Sequence, residues 1–139
     1  MIQVLWKGRG GQGAFTAARL LGAAWVLKGG YALAFPSFGP ERRGAPVRAF
    51  TKLDDNPVVD RSEITAPDFT LDLINPPAEA LALAEQFRLP TVNTVLLGQL
   101  ASQLGIEITY LEQAIEQVMP EKLWERNKHA IKKAAGQGA

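Results

Sequence analysis

The hydrophobic pattern of residues 2–35 divides into three elements. Residues 2–6 are apolar and rich in strand-favouring types, and a glycine-rich stretch at residues 8–13, here called the glycine loop, comes directly after them. From Ala14 to Leu27 the chain is rich in Ala and Leu and has no Pro, which predicts a largely buried helix that Gly29 and Gly30 terminate. Residues 31–35 predict a second buried strand, so the pattern indicates a strand–helix–strand unit with parallel strands.

The pattern then changes at residues 36–46, where three prolines and two glycines predict an exposed, stiff loop. Residues 47–53 alternate between apolar and polar types, except at one pair. This alternation predicts a strand with one wet face at or near a sheet edge. A turn is predicted at residues 54–57 and a further strand at residues 68–73, whereas residues 58–64 are ambiguous.

The second half of the chain predicts mainly helices. They are expected at residues 78–87, at residues 95–104 and after a capping box formed by Thr109 and Glu112, and Pro120 is expected to begin the last one. In that last helix Trp124 and Ile131 are expected to face inward, and residues 135–139 to form a frayed tail. The whole pattern predicts one α/β domain over residues 1–139. We expect an open, mostly parallel sheet with helices on both faces, a Rossmann-like three-layer arrangement, and a C-terminal helical segment.

Composition excludes several classes of function. The formal net charge is +1, and 47% of the residues are apolar, which argues against a disordered chain and against nucleic-acid binding through bulk charge. Without Cys the chain cannot form disulfides, use a thiol nucleophile or hold an iron–sulfur cluster, and a single His, His129, argues against a zinc site. No catalytic residue and no metal ligand is predicted. No apolar run reaches a membrane-spanning length of about 18 residues, so we expect a cytoplasmic protein.

The glycine loop places Gly8, Gly10 and Gly13 with the spacing of dinucleotide-binding turns, after a strand and before a helix. Such glycines let the backbone approach a phosphate, and the N–H groups at the helix start meet its charge. An NAD site would also need an acid at the end of the second strand, but the first acid after the loop is Glu41. The chain also lacks the Gly-Lys-Ser/Thr of a P-loop. Three interpretations stay open: another phosphate-bearing ligand, a site shared with a second chain, or merely a tight turn.

Arginines near this loop are candidate ligands for an anion. Arg9 lies within the loop, and Arg42 with Arg43 lies in the proline-rich loop, so the three could converge at the carboxyl ends of the first two strands. Solvated arginines, or arginines paired with another chain, are the alternative interpretation.

Three motifs resemble those of a known family. They are residues 8–14 followed by 17–21, residues 35–47, and Val92-Asn93-Thr94 at the start of a helix. With Glu121-Lys122 and Glu125-x-Asn127, they make nearly the whole chain resemble the gamma subunit of the pyruvate-type 2-oxoacid:ferredoxin oxidoreductases. Members of that family usually carry a further strand–helix–strand portion between the segments equivalent to residues 68–73 and 78–87, and this chain is shorter there.

The resemblance implies an enzyme complex that oxidatively decarboxylates pyruvate or a related 2-oxoacid to an acyl-coenzyme A and passes electrons to ferredoxin. Thiamine diphosphate, Mg and 4Fe-4S clusters would lie on companion alpha, beta and ferredoxin-like delta subunits. This chain would bind and orient coenzyme A, and its isolated form is expected to be inactive. The implied coenzyme A contacts are Gly8, Arg9, Gly10, Gln12, Gly13 and Asn93. Ser37, Arg42 and Arg43 would lie in a loop that faces the catalytic subunits, as interface or substrate-side residues.

Two other classes of function are compatible with the residues. The chain could be a structural subunit whose loops only dock onto partners, or a free-standing nucleotide-binding protein. Neither nucleic-acid nor membrane partners are expected.

Overall fold

The computed structural model describes residues 1–37 and 46–138. The strands in this part of the chain are β1 (Ile2–Arg9), β2 (Tyr31–Pro36), β3 (Pro46–Asp54) and β4 (Phe69–Asp72). The α-helices are α1 (Ala14–Leu27), α2 (Ala78–Gln86), α3 (Asn93–Gln103), α4 (Ile108–Val118) and α5 (Trp124–Gly138). A short 3-10 turn, Glu121–Leu123, leads into α5.

The four strands form one mixed sheet with the order β2-β3-β1-β4. Strand β3 is antiparallel to both of its neighbours, and β4 is parallel to β1. In this register Phe50 of β3 lies between Leu5 of β1 and Phe35 of β2. The strands β1, β2 and β4 therefore run in one direction, and β3 separates the two strands that α1 connects.

The predicted α/β class with a C-terminal helical segment is confirmed, but the internal arrangement corrects the prediction of a mostly parallel sheet. The edge strands are β2 and β4, whereas β3, expected near an edge, is internal. The apparent wet face of β3 is misleading because two of its polar side chains, those of Thr51 and Lys52, are buried and find partners inside the fold. The Thr51 hydroxyl accepts a hydrogen bond from Trp6 Nε1 at 3.1 Å and donates one to the Ala18 carbonyl at 3.0 Å.

One face of the sheet carries the helices. Helix α1 packs directly on β1, β2 and β3, and Gly22 allows close approach, since an added Cβ would lie 3.5 Å from the Cβ of Ala32. Behind α1, helix α3 packs against α5 at Gly98, where a Cβ would lie only 2.8 Å from the Ile131 carbonyl oxygen. The main core is formed here, by the buried residues Val4, Trp6, Leu20, Leu21, Leu53, Leu97, Leu111 and Ile131 among others.

The opposite face, here called the second face, differs from the predicted layer of helices. The chain between β3 and β4 crosses it in an irregular conformation and buries Ile64 against Phe35 and Phe50. Lys52, which is 1% exposed, holds this segment by donating to the carbonyls of Asp60 at 3.0 Å and Ser62 at 2.7 Å. A side chain thus satisfies backbone groups that a helix would have satisfied internally.

Smaller differences concern helix ends. Helix α4 begins at Ile108 after Glu107 without a side-chain cap, so Thr109 lies inside the helix and forms no capping box. Residues 135–138, predicted as a frayed tail, continue α5, and Pro120 precedes the 3-10 turn instead of opening a helix. His129 is exposed, as expected. No helix in the described part of the chain is long and apolar enough to cross a membrane.

Candidate functional site

The glycine loop connects the carboxyl end of β1 to the start of α1. Strand β1 ends at Arg9 and α1 begins at Ala14. The end of β2 lies at the same edge of the sheet, because Arg9 pairs with Pro46 at the start of β3, and Pro36 pairs with Ala49 nearby. The topology therefore places the start of the glycine loop near the end of β2 and the start of β3.

Two glycines of the loop adopt the left-handed region that side chains disfavour, with φ of 90° at Gly11 and 79° at Gly13. Their surroundings differ. A Cβ on Gly13 would lie 2.5 Å from Asn93 Nδ2, whereas a Cβ on Gly11 would meet nothing within 4 Å. Gly8 is buried, and its added Cβ would lie 3.3 Å from the Cβ of Ala14. Gly13 and Gly8 permit close packing, and Gly11 permits only the turn.

Gln12 fixes the shape of the loop. Its Oε1 accepts a hydrogen bond from the Arg9 backbone N–H at 2.7 Å, and its Nε2 donates to the Leu73 carbonyl at 3.1 Å. Its own backbone N–H donates to the Arg9 carbonyl at 3.1 Å. The amide of Gln12 thus ties β1, the loop and the end of β4 together.

Residues just before and within α3 also hold the glycine loop by hydrogen bonds. The Thr91 hydroxyl donates to the Gln12 carbonyl at 2.6 Å, and Asn93 Nδ2 donates to the Gly13 carbonyl at 3.4 Å. Asn93 is 4% exposed, and its Oδ1 accepts from the Thr94 backbone N–H at 2.8 Å. Asn93 is among the residues predicted from the sequence and Thr91 is not, although Thr91 lies only two residues before Asn93.

Further hydrogen bonds connect the start of α3 to the last helix, α5. The buried Thr94 hydroxyl donates to Asn127 Oδ1 at 2.8 Å, and Asn127 Nδ2 donates to the Leu123 carbonyl at 2.8 Å. A continuous chain of hydrogen bonds therefore runs from the glycine loop through the first turn of α3 to α5.

The electrostatic setting of the loop suits an anion. The first turn of α1 contains no acidic residue, and Gly13 at its N-cap offers no side chain to the first N–H groups, so the helix start keeps its partial positive charge. Gly10 and Gly11 are exposed, and the exposed side chains of Lys7 and Arg9 lie at the same edge of the sheet.

No group of three or more His, Cys, Asp or Glu side chains in residues 1–37 and 46–138 could hold a metal ion.

The structure places six predicted ligand-binding residues at this one location: Gly8, Arg9, Gly10, Gln12, Gly13 and Asn93. Ser37 lies just beyond β2, where its hydroxyl donates to Glu63 Oε2 at 3.2 Å and its backbone N–H to the Arg48 carbonyl at 2.9 Å. Arg42 and Arg43 lie outside the described residues.

Comparison with known proteins decides the family. Residues 3–73 and 70–137 match the family described as Pyruvate ferredoxin/flavodoxin oxidoreductase. The chain belongs to this family. The two matches meet at residues 70–73, close to the point where the resemblance predicts a missing strand–helix–strand portion.

Within the family the chain is of the gamma type. It is 36% identical to the pyruvate synthase subunit PorC of Methanothermobacter thermautotrophicus over 170 aligned residues, which cover 96% of this chain and 94% of the relative. It is 35% identical to the pyruvate/ketoisovalerate oxidoreductases common subunit gamma of Pyrococcus furiosus over 176 residues, covering 96% and 95%. Both alignments are longer than the 139 residues of this chain, so these relatives carry residues that it lacks.

Solved structures agree with the fold. The pyruvate oxidoreductase subunit PORC of Thermotoga maritima superposes with a TM-score of 0.75 at 26% identity, covering 97% of this chain and 95% of that one. The 2-oxoglutarate:ferredoxin oxidoreductase of Magnetococcus marinus, solved with 2-oxoglutarate, coenzyme A and succinyl-CoA bound, superposes with a TM-score of 0.80. The chain covers 31% of that protein, and at 15% identity the likeness concerns the fold alone.

Proposed function

We propose that this chain is the coenzyme A-orienting gamma subunit of a 2-oxoacid:ferredoxin oxidoreductase. The complex would oxidatively decarboxylate pyruvate or a related 2-oxoacid to an acyl-coenzyme A in the cytoplasm. The observation that carries the proposal is the glycine loop, because it joins exposed backbone at Gly10 and Gly11 to a helix start with no side-chain cap. A pyrophosphate is the group that this combination accommodates best.

The six site residues divide into two roles under this proposal. Gly10 and the side chain of Arg9 are exposed and would contact the phosphates directly, Arg9 through its guanidinium fork. Gln12 and Asn93 hold the loop through their amides, while Gly8 and Gly13 give them room to do so. The phosphates would therefore meet a loop whose shape already exists before binding.

The contribution of the chain to the reaction is proximity and orientation. Holding coenzyme A so that its thiol reaches the acyl intermediate on another subunit can lower a barrier by up to about 7 to 11 kcal/mol. No side chain of this chain needs to carry a proton for that purpose.

The partners follow from the same proposal. The chain has no Cys to ligate an iron–sulfur cluster, so 4Fe-4S clusters, thiamine diphosphate and Mg would be held by alpha, beta and ferredoxin-like delta subunits. Ferredoxin would accept the electrons. We assign Ser37, Arg42 and Arg43 to the face of the chain that meets the catalytic subunits.

The proposal is tested in the assembled complex with Arg9→Ala. We expect the KM for coenzyme A to rise about tenfold, which corresponds to about 1.4 kcal/mol, while the KM for the 2-oxoacid stays unchanged. The matched control is Arg61→Ala, which removes another exposed arginine from the chain segment over the second face. A KM for coenzyme A that is the same in both variants and the wild type would contradict the assignment of the loop.

A further inference from the structure

A groove of about 500 Å³ lies between the end of α2 and the second half of α5. Its described lining consists of Phe87, His129, Lys132, Lys133 and Gly136, and it is here called the basic groove. None of these residues is hydrogen-bonded to the glycine loop or belongs to the predicted site. The basic groove is therefore a separate feature of the surface that the proposed function does not use.

The surface of the basic groove is mostly apolar. Phe87 is half-buried and packs against the main core. Gly136 has no side chain, and a Cβ added there would meet nothing within 4 Å, so the groove is open at this position. The methylene stems of the two lysines extend the apolar surface. The groove can therefore receive a large apolar side chain.

The rim of the basic groove carries positive charge that the fold does not neutralise. Lys132 and Lys133 are exposed, and neither side chain forms an ion pair or a hydrogen bond with a described residue. Lys128, about one turn earlier, is instead paired with Glu116. The exposed imidazole of His129 adds a further hydrogen-bonding group to the rim. Two lysines are thus available to the carboxylates of a partner.

The positive charge of the chain is concentrated on α5. This helix holds Arg126, Lys128, Lys132 and Lys133 against one acid, Glu125, whereas the whole chain has a formal net charge of +1. The remaining residues together are therefore slightly acidic. Because charges act over about 8 Å at physiological salt, an acidic group is attracted to this helix and not to the chain as a whole.

We propose that the basic groove binds an acidic segment of a partner protein, in which a large apolar side chain is flanked by carboxylates. Charge complementarity selects this partner, since the carboxylates would pair with Lys132 and Lys133 while the apolar side chain lies against Phe87. An apolar centre with a polar rim is the usual anatomy of a protein interface. The inference is independent of the proposed function, because it does not involve coenzyme A.

Two other anionic partners fit the basic groove less well. A phosphate backbone is bound through a longer row of basic groups, and only two lysines are among the described residues that line the groove. A lipid surface is bound by apolar side chains that project from the protein, whereas this apolar surface is concave. An acidic protein segment matches both the shape and the charge.

The test measures by fluorescence anisotropy how tightly the full chain binds short dye-labelled peptides. The first peptide has Phe-Leu between runs of Asp and Glu. The second replaces Phe-Leu by Ser-Ser, and the third replaces every acid by its amide. We expect the first peptide to bind about tenfold more tightly than either of the others, and its affinity to fall as NaCl is raised from about 50 to 300 mM.

Variants locate the binding at the basic groove. Lys132→Gln/Lys133→Gln removes both charges, and Arg61→Gln/Lys122→Gln is the control, because it removes the same charge from exposed residues outside the groove. We expect the first double variant to bind the first peptide about fivefold more weakly, with a smaller salt dependence, and the control to bind it like the wild type.

Gly136→Gln tests the apolar part of the groove at unchanged charge. It places a polar side chain in the groove without a clash and removes a glycine from a helix, so the fold is preserved. We expect about threefold weaker binding of the first peptide.

The proposal is wrong if the Ser-Ser peptide binds as tightly as the first peptide, or if Lys132→Gln/Lys133→Gln and its control bind the first peptide equally. A thymidine oligonucleotide and phosphatidylglycerol vesicles are titrated in the same way. Tighter binding of either one than of the first peptide, lost in Lys132→Gln/Lys133→Gln, would overturn the proposal in favour of a nucleic-acid or membrane partner.

Discussion

The glycine loop and the second face of the sheet are both irregular, and both are held by side chains that bond to distant backbone groups. The loop is held by neutral groups, the amides of Gln12 and Asn93 and the hydroxyl of Thr91. The second face is held by a cation, because Lys52 Nζ donates to the carbonyls of Asp60 and Ser62 and lies 3.6 Å from Asp60 Oδ2.

The difference shows how a fold can order a loop without changing the electrostatic potential around that loop. Neutral side chains fix the glycine loop and add no net charge beside the start of α1. The charge of Lys52 is instead matched by two backbone carbonyls and by the exposed carboxylate of Asp60, and its Nζ lies over the Phe35 ring. One region therefore stays attractive to an anion, whereas the other is internally neutralised.

Removing Lys52 tests the more strongly held region. We expect Lys52→Ala to lower the free energy of unfolding by about 3 to 5 kcal/mol, because it leaves a cavity and takes the donor from two carbonyls. Lys52→Met keeps most of the stem, and we expect about half that loss. Urea unfolding of both variants measures the two values. Equal stability of Lys52→Ala and the wild type would show that this lysine does not hold the segment.

Two glycines test how closely the loop is packed. Gly13→Ala introduces a Cβ within 2.5 Å of Asn93 Nδ2 at a φ of 79°, and we expect it to cost about 2 to 4 kcal/mol and to weaken coenzyme A. Gly11→Ala has a similar φ but open space around it, so we expect only about 1 to 2 kcal/mol. Thermal unfolding separates the two variants, and equal losses would contradict the packing role of Asn93.

A negative charge at Gln12 tests whether the glycine loop binds an anion through its electrostatic potential. Gln12→Glu keeps an acceptor for the Arg9 N–H, loses the donor to Leu73 and adds a negative charge beside the helix start. We expect coenzyme A to bind about tenfold more weakly, or about 1.4 kcal/mol. Gln12→Met is the control, because it loses both hydrogen bonds but adds no charge. If the charge causes the loss, Gln12→Met must weaken coenzyme A less than Gln12→Glu does. Equal effects would assign the loss to loop shape alone.

The smallest effect concerns Asp60 on the second face. Hydrogen bonds from the backbone and side chain of Ser62, followed by the charge of Lys52, lower the pKa of the Asp60 carboxyl below its ordinary 3.8. Because the folded pKa is the lower one, the ionised group stabilises the fold above pH 3.8, and this contribution disappears as the pH falls through the folded value. As the pH is lowered, we expect the free energy of unfolding to fall slightly less for Asp60→Asn than for the wild type. Urea unfolding between about pH 5 and pH 3 would show it, and parallel curves would contradict the assignment.

The local elements of the first half were accessible from sequence. The apolar run, the glycines and the Ala-rich stretch locate β1, the loop and α1, because period and turn chemistry are local properties. The edge position of β2 and the internal position of β3 were not accessible. The residues of β2 are as apolar as those of a buried strand, and Thr51 and Lys52 resemble solvent-facing residues until their partners are known.

At the candidate site the sequence predicted a set of residues, and only the fold shows what each side chain contacts. The family resemblance implies that Gln12 and Asn93 contact the ligand, yet in the fold their amides bond to Leu73 and Gly13. A cavity beside the loop, lined by Thr16, Met119 and Asn127 among others, brings together residues from four separate segments. Such a group has no signature in the order of the residues.

By itself the sequence determined the class of the fold, the glycine loop and the resemblance to a gamma subunit, because each depends on residues that are neighbours in the chain. Only the tertiary structure decided that β3 lies between β1 and β2 and that neutral side chains hold the glycine loop. It also decided that Lys52 binds the carbonyls of an irregular segment on the second face, where helices were predicted. The physical reason is that a polar side chain has no fixed role until the fold supplies its partner. The same amide can bind a ligand or a carbonyl, and only the distances between segments choose between them.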